Sequence, residues 1–233
     1  MTTRIWSWLI LPGLLLLSGC PGGSSGDGGV GGNDTIICLA DQDIPGVYEL
    51  YRATSGEKIN PPLVAGKSVT NFAITPDRTA VIYLADQDTA GIFELYRVHV
   101  VTPGISTKLN GTLPGGGNVT SFAVTPDGLS VVYLADQDVN EKFELYRTVF
   151  NTLANTKLNG LLGIAADVAD FKVVPNSSGV VYRADQNTDT VNELYRVAFS
   201  APMVSARLNP GLPVGRTVSA QYAVAPDSGS VLY

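Results

Sequence analysis

One stretch of this chain returns four times, and that return constrains the fold more than any other feature. It reads LADQDTAGIFELYR over residues 84–97, LADQDIPGVYELYR from Leu39, LADQDVNEKFELYR from Leu134 and, more loosely, RADQNTDTVNELYR from Arg183. The ADQ triplet starts at Ala40, Ala85, Ala135 and Ala184, intervals of 45, 50 and 49 residues. Two other markers hold the same phase. Pro-Asp or a variant of it falls at Pro76, Pro126, Pro175 and Pro226, and a K/R-[IL]-N triplet at Lys58, Lys108, Lys157 and Arg207. A period near 50 residues describes a supersecondary module that buries its apolar faces only by stacking on its neighbours.

Each unit reads as four short strands. TSFAV, before Pro126, is the first. TPDG then makes a turn in which proline presets the backbone and Gly128 can take positive φ. SVVYLA is the second strand, FELYRTV the third, and a short strand around TKLNG the fourth. No segment shows helical periodicity over ten residues; the pattern is strand-like throughout. The prediction is an all-β chain, a β-propeller of four-stranded antiparallel blades. The first copy begins at its second strand, TIICLA, and the last stops at SVLY, partway through its second strand. Both ends supply the same strand, so no blade is shared between the termini. About four to five blades are therefore expected, incomplete or open, with the chain read short at its C-terminal end or ending on an edge free to pair.

These residues carry a resemblance. FAVTPDGLSVVYLAD, then FELYR, then KLNG is similar to the WD-repeat-like, Pro-Asp-Gly blades of TolB-type β-propellers, over Ile36–Tyr233. The copy FKVVPNSSGVVYRADQN departs furthest, with Asn-Ser for Asp-Gly and Arg183 for leucine. The resemblance implies a scaffold that contacts a protein or peptide through a propeller face or the rim of its channel. Such propellers serve many ends, and some peptidases join them to a hydrolase domain.

The N-terminus speaks of address. In MTTRIWSWLILPGLLLLSGC, Arg4 precedes an apolar run from Ile5 to Leu17. That run is short for a bilayer span, which needs roughly 20 residues, but suits a signal peptide. Leu17-Ser18-Gly19-Cys20 resembles the lipobox of bacterial lipoproteins. The resemblance implies cleavage before Cys20, a diacylglycerol on its sulfur and an acylated amine, which together give stable membrane attachment. Residues 1–19 are then a signal peptide. Residues 20–35 are a lipidated cysteine and a Gly/Ser-rich tether spanning about 20 Å. The repeats occupy 36–233, divided approximately as 36–60 (partial), 70–110, 120–160, 170–210 and 219–233 (partial). The expected location is a bacterial cell envelope. For a cell with two membranes the lipoprotein resemblance implies the outer membrane or cell surface, facing periplasm or exterior, because Pro21 stands where an aspartate would signal inner-membrane retention.

The formal net charge is -6, and -7 once the leader with Arg4 is gone, which argues against nucleic acid. With Cys20 lipidated, Cys38 is left without an intramolecular disulfide. It stands where other copies have Tyr83, Tyr133 and Tyr182, and reads as a buried strand residue.

Does the repeated acidic loop form a site? Asp86, Asp88 and Glu94 recur as Asp41, Asp43 and Glu49, and as Asp136, Asp138 and Glu144; the last copy keeps Asp185 and Glu193 but has Asn187. The spacing faintly suggests calcium loops, yet the expected glycine is missing and Glu94 falls in a strand. A hairpin of fixed length, whose strand-end aspartate bonds its own backbone, is the better reading. Arg52, Arg97, Arg147 and Arg196 would pair with these acids in the same blade. Any recognition is assigned to the loops carrying Asp41, Asp43, Asp86, Asp88, Asp136, Asp138 and Asp185, with an envelope protein or peptide as the partner. Rival readings are a calcium- or carbohydrate-binding surface module, and the propeller part of a larger hydrolase or lyase. Tyr51, Tyr96, Tyr146 and Tyr195, with Phe72, Phe122, Phe171 and Tyr222, are read as core between blades. His99 has no partner for zinc, and neither a nucleophile elbow nor a phosphate-binding loop occurs in the folded region; the glycine tether is not followed by a helix and cannot act as one. No enzyme activity, catalytic residue, metal or cofactor is expected.

Overall fold

The computed structural model describes residues 36–213 and 215–233; the expected leader, Cys20 and the tether lie outside them. The described chain is built of strands alone, in five antiparallel sheets. The first sheet is the pair β1 (Ile37–Ala40) and β2 (Glu49–Arg52). Three complete four-stranded units follow. The second is β3 (Val69–Ile74), β4 (Ala80–Thr89), β5 (Ile92–His99) and β6 (Ser106–Lys108). The third is β7 (Val119–Val124), β8 (Ser130–Ala135), β9 (Glu144–Val149) and β10 (Asn155–Lys157). The fourth is β11 (Val168–Val173), β12 (Gly179–Ala184), β13 (Glu193–Ala198) and β14 (Ser205–Arg207). The last pair is β15 (Ala223–Val224) and β16 (Val231–Leu232). Among the described residues no strand pairing joins the first sheet to the last, so the propeller is open.

The second strand of each unit shows why the sequence loses the alternation of a half-exposed strand. In AVIYLA all six residues are buried, because both faces of the sheet are covered. Val81, Tyr83 and Ala85 pack back onto the first unit, against Leu50, Ile59 and Leu63. Ile82 and Leu84 pack forward onto Val119, Val131 and Tyr133 of the third. The same division repeats one unit on, where Val132 and Leu134 meet Val180 and Tyr182. The interfaces among the first four units thus set a tyrosine-bearing face against a leucine-bearing one, so the core is a series of inter-blade seams.

Cross-strand register fixes those tyrosines. Tyr83 lies opposite Tyr96, with ring centroids 5.4 Å apart; Tyr133 and Tyr146 stack at 5.6 Å, and Tyr182 and Tyr195 at 5.4 Å. Tyr51, Tyr96, Tyr146 and Tyr195 are all buried, whereas Phe72, Phe122 and Phe171 are half-buried at the seams. The turns behave as the sequence predicts: Gly128 has φ +71, and Arg78, Ser177 and Ser228 take the same left-handed conformation with a side chain.

Strand order puts the loops carrying the aspartates and the inter-unit loops at one end of each sheet. The Pro-Asp turns and the loops after the third strands lie at the other. Two expectations need correction. Cys38 is half-buried in β1 rather than buried, with Sγ 3.6 Å from Tyr51 O. The arginines after each Leu-Tyr do not pair with the repeated-motif acids of their own blade, although Arg52 Nε pairs with Glu57 at 3.0 Å. They reach forward instead: Arg52 donates to Val100 O at 2.9 Å, Arg97 to Phe150 O at 3.2 Å and Arg196 to Ser228 O at 3.4 Å. Arg147 lies over the Phe199 ring at 4.1 Å. The acids lie toward the opposite end of the strands, out of reach of these guanidiniums.

Candidate functional site

The first aspartate of each motif closes its own hairpin. Asp86 Oδ2 accepts from Gly91 N at 2.9 Å, and Asp136 Oδ2 from Glu141 N at 2.9 Å. Asp185 Oδ2 does the same with Thr190 N at 3.0 Å, and Asp41 Oδ2 with Gly46 N at 3.1 Å. Each of the four donors has positive φ, which turns its N–H inward. The other oxygen fastens the loop entering the same unit: Asp86 Oδ1 accepts from Ser68 N at 2.7 Å, and Asp185 Oδ1 from Asp167 N at 2.7 Å. Asp136 repeats this with Asn118 N. Asp86 and Asp136 are buried, Asp185 is half-buried, and Asp41, in the unit whose first strand is absent from the described sheet, is exposed.

The second aspartate joins a clamp around the glutamate of ELYR. Lys58 Nζ lies 2.7 Å from Asp43 Oδ2 and 2.6 Å from Glu49 Oε2. Lys108 spans Asp88 and Glu94 at 2.8 and 2.7 Å. Lys157 spans Asp138 and Glu144 at 2.6 Å each. In the fourth unit Arg207 reaches Glu193 at 2.7 Å, while Asn187 Nδ2, in the second aspartate's place, donates to Glu193 Oε2 at 2.9 Å. Burial alone would lower the lysines, but the hydrogen bonds Lys58 donates to Asp43 and Glu49 hold it above its ordinary value, and Lys108 and Lys157 are raised likewise. Asp43 and Asp88 are lowered, chiefly by their hydrogen bonds to Lys58 and Lys108. The glutamates are buried; Asp43, Asp88 and Asp138 stay exposed.

An asparagine completes each clamp. Asn110 Oδ1 accepts from Leu95 N at 2.8 Å, and Asn159 Oδ1 from Leu145 N at 2.7 Å. Asn60 and Asn209 do the same for Leu50 N and Leu194 N, at 2.6 and 2.7 Å. These side chains supply the third strand's buried donors with acceptors where the short fourth strand has ended. The glutamine of ADQ then ties neighbouring units: Gln137 Oε1 accepts from Tyr133 Oη at 2.6 Å and from Gly111 N of the preceding unit at 2.7 Å.

The seven aspartates therefore fall into two sets. Asp41, Asp86, Asp136 and Asp185 hold backbone N–H groups; Asp43, Asp88 and Asp138 present carboxylates at the surface beside a lysine. The clamping Lys58, Lys108, Lys157, Arg207 and their asparagines were marked by the sequence only as a phase signal. One cation per unit in step with one glutamate was the clue to pairing. Among the described residues no group of three or more His, Cys, Asp or Glu is placed to hold a metal ion. His99 ends β5, exposed, on the end away from the aspartates.

No family model matches the chain, and no curated protein does either. Solved structures do. A TolB-type protein from Agrobacterium tumefaciens matches with a TM-score of 0.50 at 15% identity, over 72% of this chain and 57% of that one. TolB from Acinetobacter baumannii matches with a TM-score of 0.50 at 16% identity, over 79% of this chain and 41% of that one. A puromycin-hydrolyzing peptidase of Mycobacterium tuberculosis matches with a TM-score of 0.54 at 13% identity, over 78% of this chain and 31% of that one. The fold is thus that of a TolB-like β-propeller, and the chain spans well under two thirds of each of these proteins. The third likeness corrects the expectation that the chain is not an enzyme. The same arc of blades occurs within a peptidase, so the fold gives no ground for setting enzymes aside.

Proposed function

We propose that this chain is a lipid-anchored envelope propeller whose aspartate-loop face binds a protein or peptide partner. The observation that carries the reading is the in-phase row of Asp43, Asp88 and Asp138. Their side chains are 48%, 49% and 46% exposed although each touches a lysine. Each carboxylate is fixed in direction by its lysine and keeps surface open to a partner, so a charged or hydrogen-bonding segment meets an ordered array. The lipobox reading of Cys20 supplies the anchor, and the tether gives the face room to work clear of the lipid head groups. The membrane expected is the outer one or the cell surface.

The test is affinity capture from envelope extracts with the mature protein and with Asp43→Asn/Asp88→Asn/Asp138→Asn. The lysines keep their glutamates in this variant, so the blades stay folded. Loss of a partner recovered by the parent supports the reading, and equal recovery sinks it. Lipidation has its own test. A sulfur carrying diacylglycerol cannot also enter a disulfide, so the intact mass before and after reduction decides whether Cys20 is acylated.

The likeness to the peptidase supports a second reading, in which these blades are the propeller part of a larger hydrolase. Sequencing the gene past the codon for Tyr233 decides between the two.

A further inference from the structure

The end of the propeller opposite the aspartate loops holds a cavity of about 360 Å³ between the second and third units. Its walls include Arg97 and His99 of β5, Asp77 and Thr79 of the Pro-Asp turn, and Phe150 and Asn151 from the loop after β9. That volume lies in the range of small-ligand pockets.

Arg97 is the informative residue, because the chain supplies its own controls. Arg52 Nε pairs with Glu57 at 3.0 Å, and Arg147 Nε donates to Ser130 Oγ at 2.9 Å. Ser130 opens β8; the same place at the start of β4 is taken by Ala80, directly opposite His99. Without that hydroxyl, Arg97 Nε is buried with no hydrogen-bond partner. The guanidinium also sits less closely on its aromatic, 5.3 Å from the Phe150 ring against 4.1 Å for Arg147 and Phe199. Its one hydrogen bond among the described residues runs from Nη1 to Phe150 O, and no carboxylate there pairs with it. A half-buried guanidinium with spare donors is unfavourable alone and matches a carboxylate in two-pronged geometry. Asp77 is the acid in the same wall. Thr75 Oγ1 donates to its Oδ1 at 2.6 Å, as does Thr79 N at 3.1 Å, and Thr79 Oγ1 donates to its Oδ2 at 2.9 Å. An occupant must therefore offer an anion toward Arg97 and a donor toward Asp77.

We propose that this cavity binds the C-terminal carboxylate of a peptide, held by the Arg97 guanidinium beside His99, with the terminal amide N–H turned toward Asp77. The site lies on the far end from the aspartate loops and does not depend on their binding anything.

The test is a nuclear magnetic resonance titration of the full chain with N-acetylalanylalanine and with its C-terminal amide, at constant ionic strength. The acid is expected to give saturable shifts around Thr79, His99 and Asn151, and the amide none. Ala80→Ser, which installs the hydroxyl found in the third unit, should weaken binding of the acid about tenfold, and Arg97→Gln should abolish it. Equal responses to acid and amide, no saturable shift, or affinity unmoved by Ala80→Ser would overturn the proposal. Should Arg97→Gln fail to fold, the acid–amide comparison and Ala80→Ser still decide.

Discussion

Lys108 Nζ stands 2.7 Å from Glu94 Oε2, a carboxylate whose side chain is only 10% exposed. This contact joins the short fourth strand to the third, and Asn110 Nδ2 and Tyr96 Oη donate to the same carboxylate. Truncating the lysine leaves a buried anion short of its strongest donor. Lys108→Met should cost about 2 kcal/mol in urea unfolding, while Asp88→Asn, at the exposed end of the clamp, should cost under about 1 kcal/mol.

The two aspartates of one motif should separate in the same assay. Asp136 accepts two backbone N–H groups and is buried; Asp138 is exposed. Asp136→Ala is expected to lower stability by about 2 kcal/mol, and Asp138→Ala by less than about 1 kcal/mol. Circular dichroism melts of the two variants check the order.

Gly91 isolates a backbone effect. Its φ is +78, and an added Cβ would meet nothing within 4 Å. Gly91→Ala should therefore cost about 1 kcal/mol from conformation alone, measurable as a shift in the urea midpoint with unchanged slope.

The clamps predict a pH window. Asp43 and Asp88 are lowered in the fold by their lysines, so their contribution is present above the ordinary value of 3.8 and fades as pH falls through the lowered values. Lys58, Lys108 and Lys157 are raised despite burial, by hydrogen bonds to their acids, so their contribution is complete below 10.5 and is lost as pH rises through the raised values. Buried Tyr51 and Tyr133, each pushed up to about 12, first by desolvation, weaken the fold in the same alkaline direction above 10. Melting temperature should be flat from about pH 5 to 9 and fall on both sides.

Much of this was legible in the chain because each unit obeys one local rule set. The Asp-to-Glu spacing of eight residues, the Pro-Asp turns and the doubly buried VIYLA-type strands all follow from backbone geometry, and periodicity exposes them. The arginines were misplaced because their partners lie in the following unit: Arg97 meets Phe150, 53 residues on, and no local pattern announces that contact. The lysine clamps were missed for a related reason. The interval from glutamate to lysine varies with the loop after the third strand, so only three-dimensional register brings Glu49 to Lys58 and Glu94 to Lys108. Nor did spacing distinguish the buried Asp86 from the exposed Asp88, because that difference depends on the incoming loop at Ser68.

The account rests on the acidic repeat being an architectural clamp before it is anything else. A double-mutant cycle on Lys108→Met and Glu94→Gln, read by urea unfolding, tests this most directly. The account predicts a coupling of about 1–2 kcal/mol between the two sites. Additive effects, with no coupling beyond error, would contradict it.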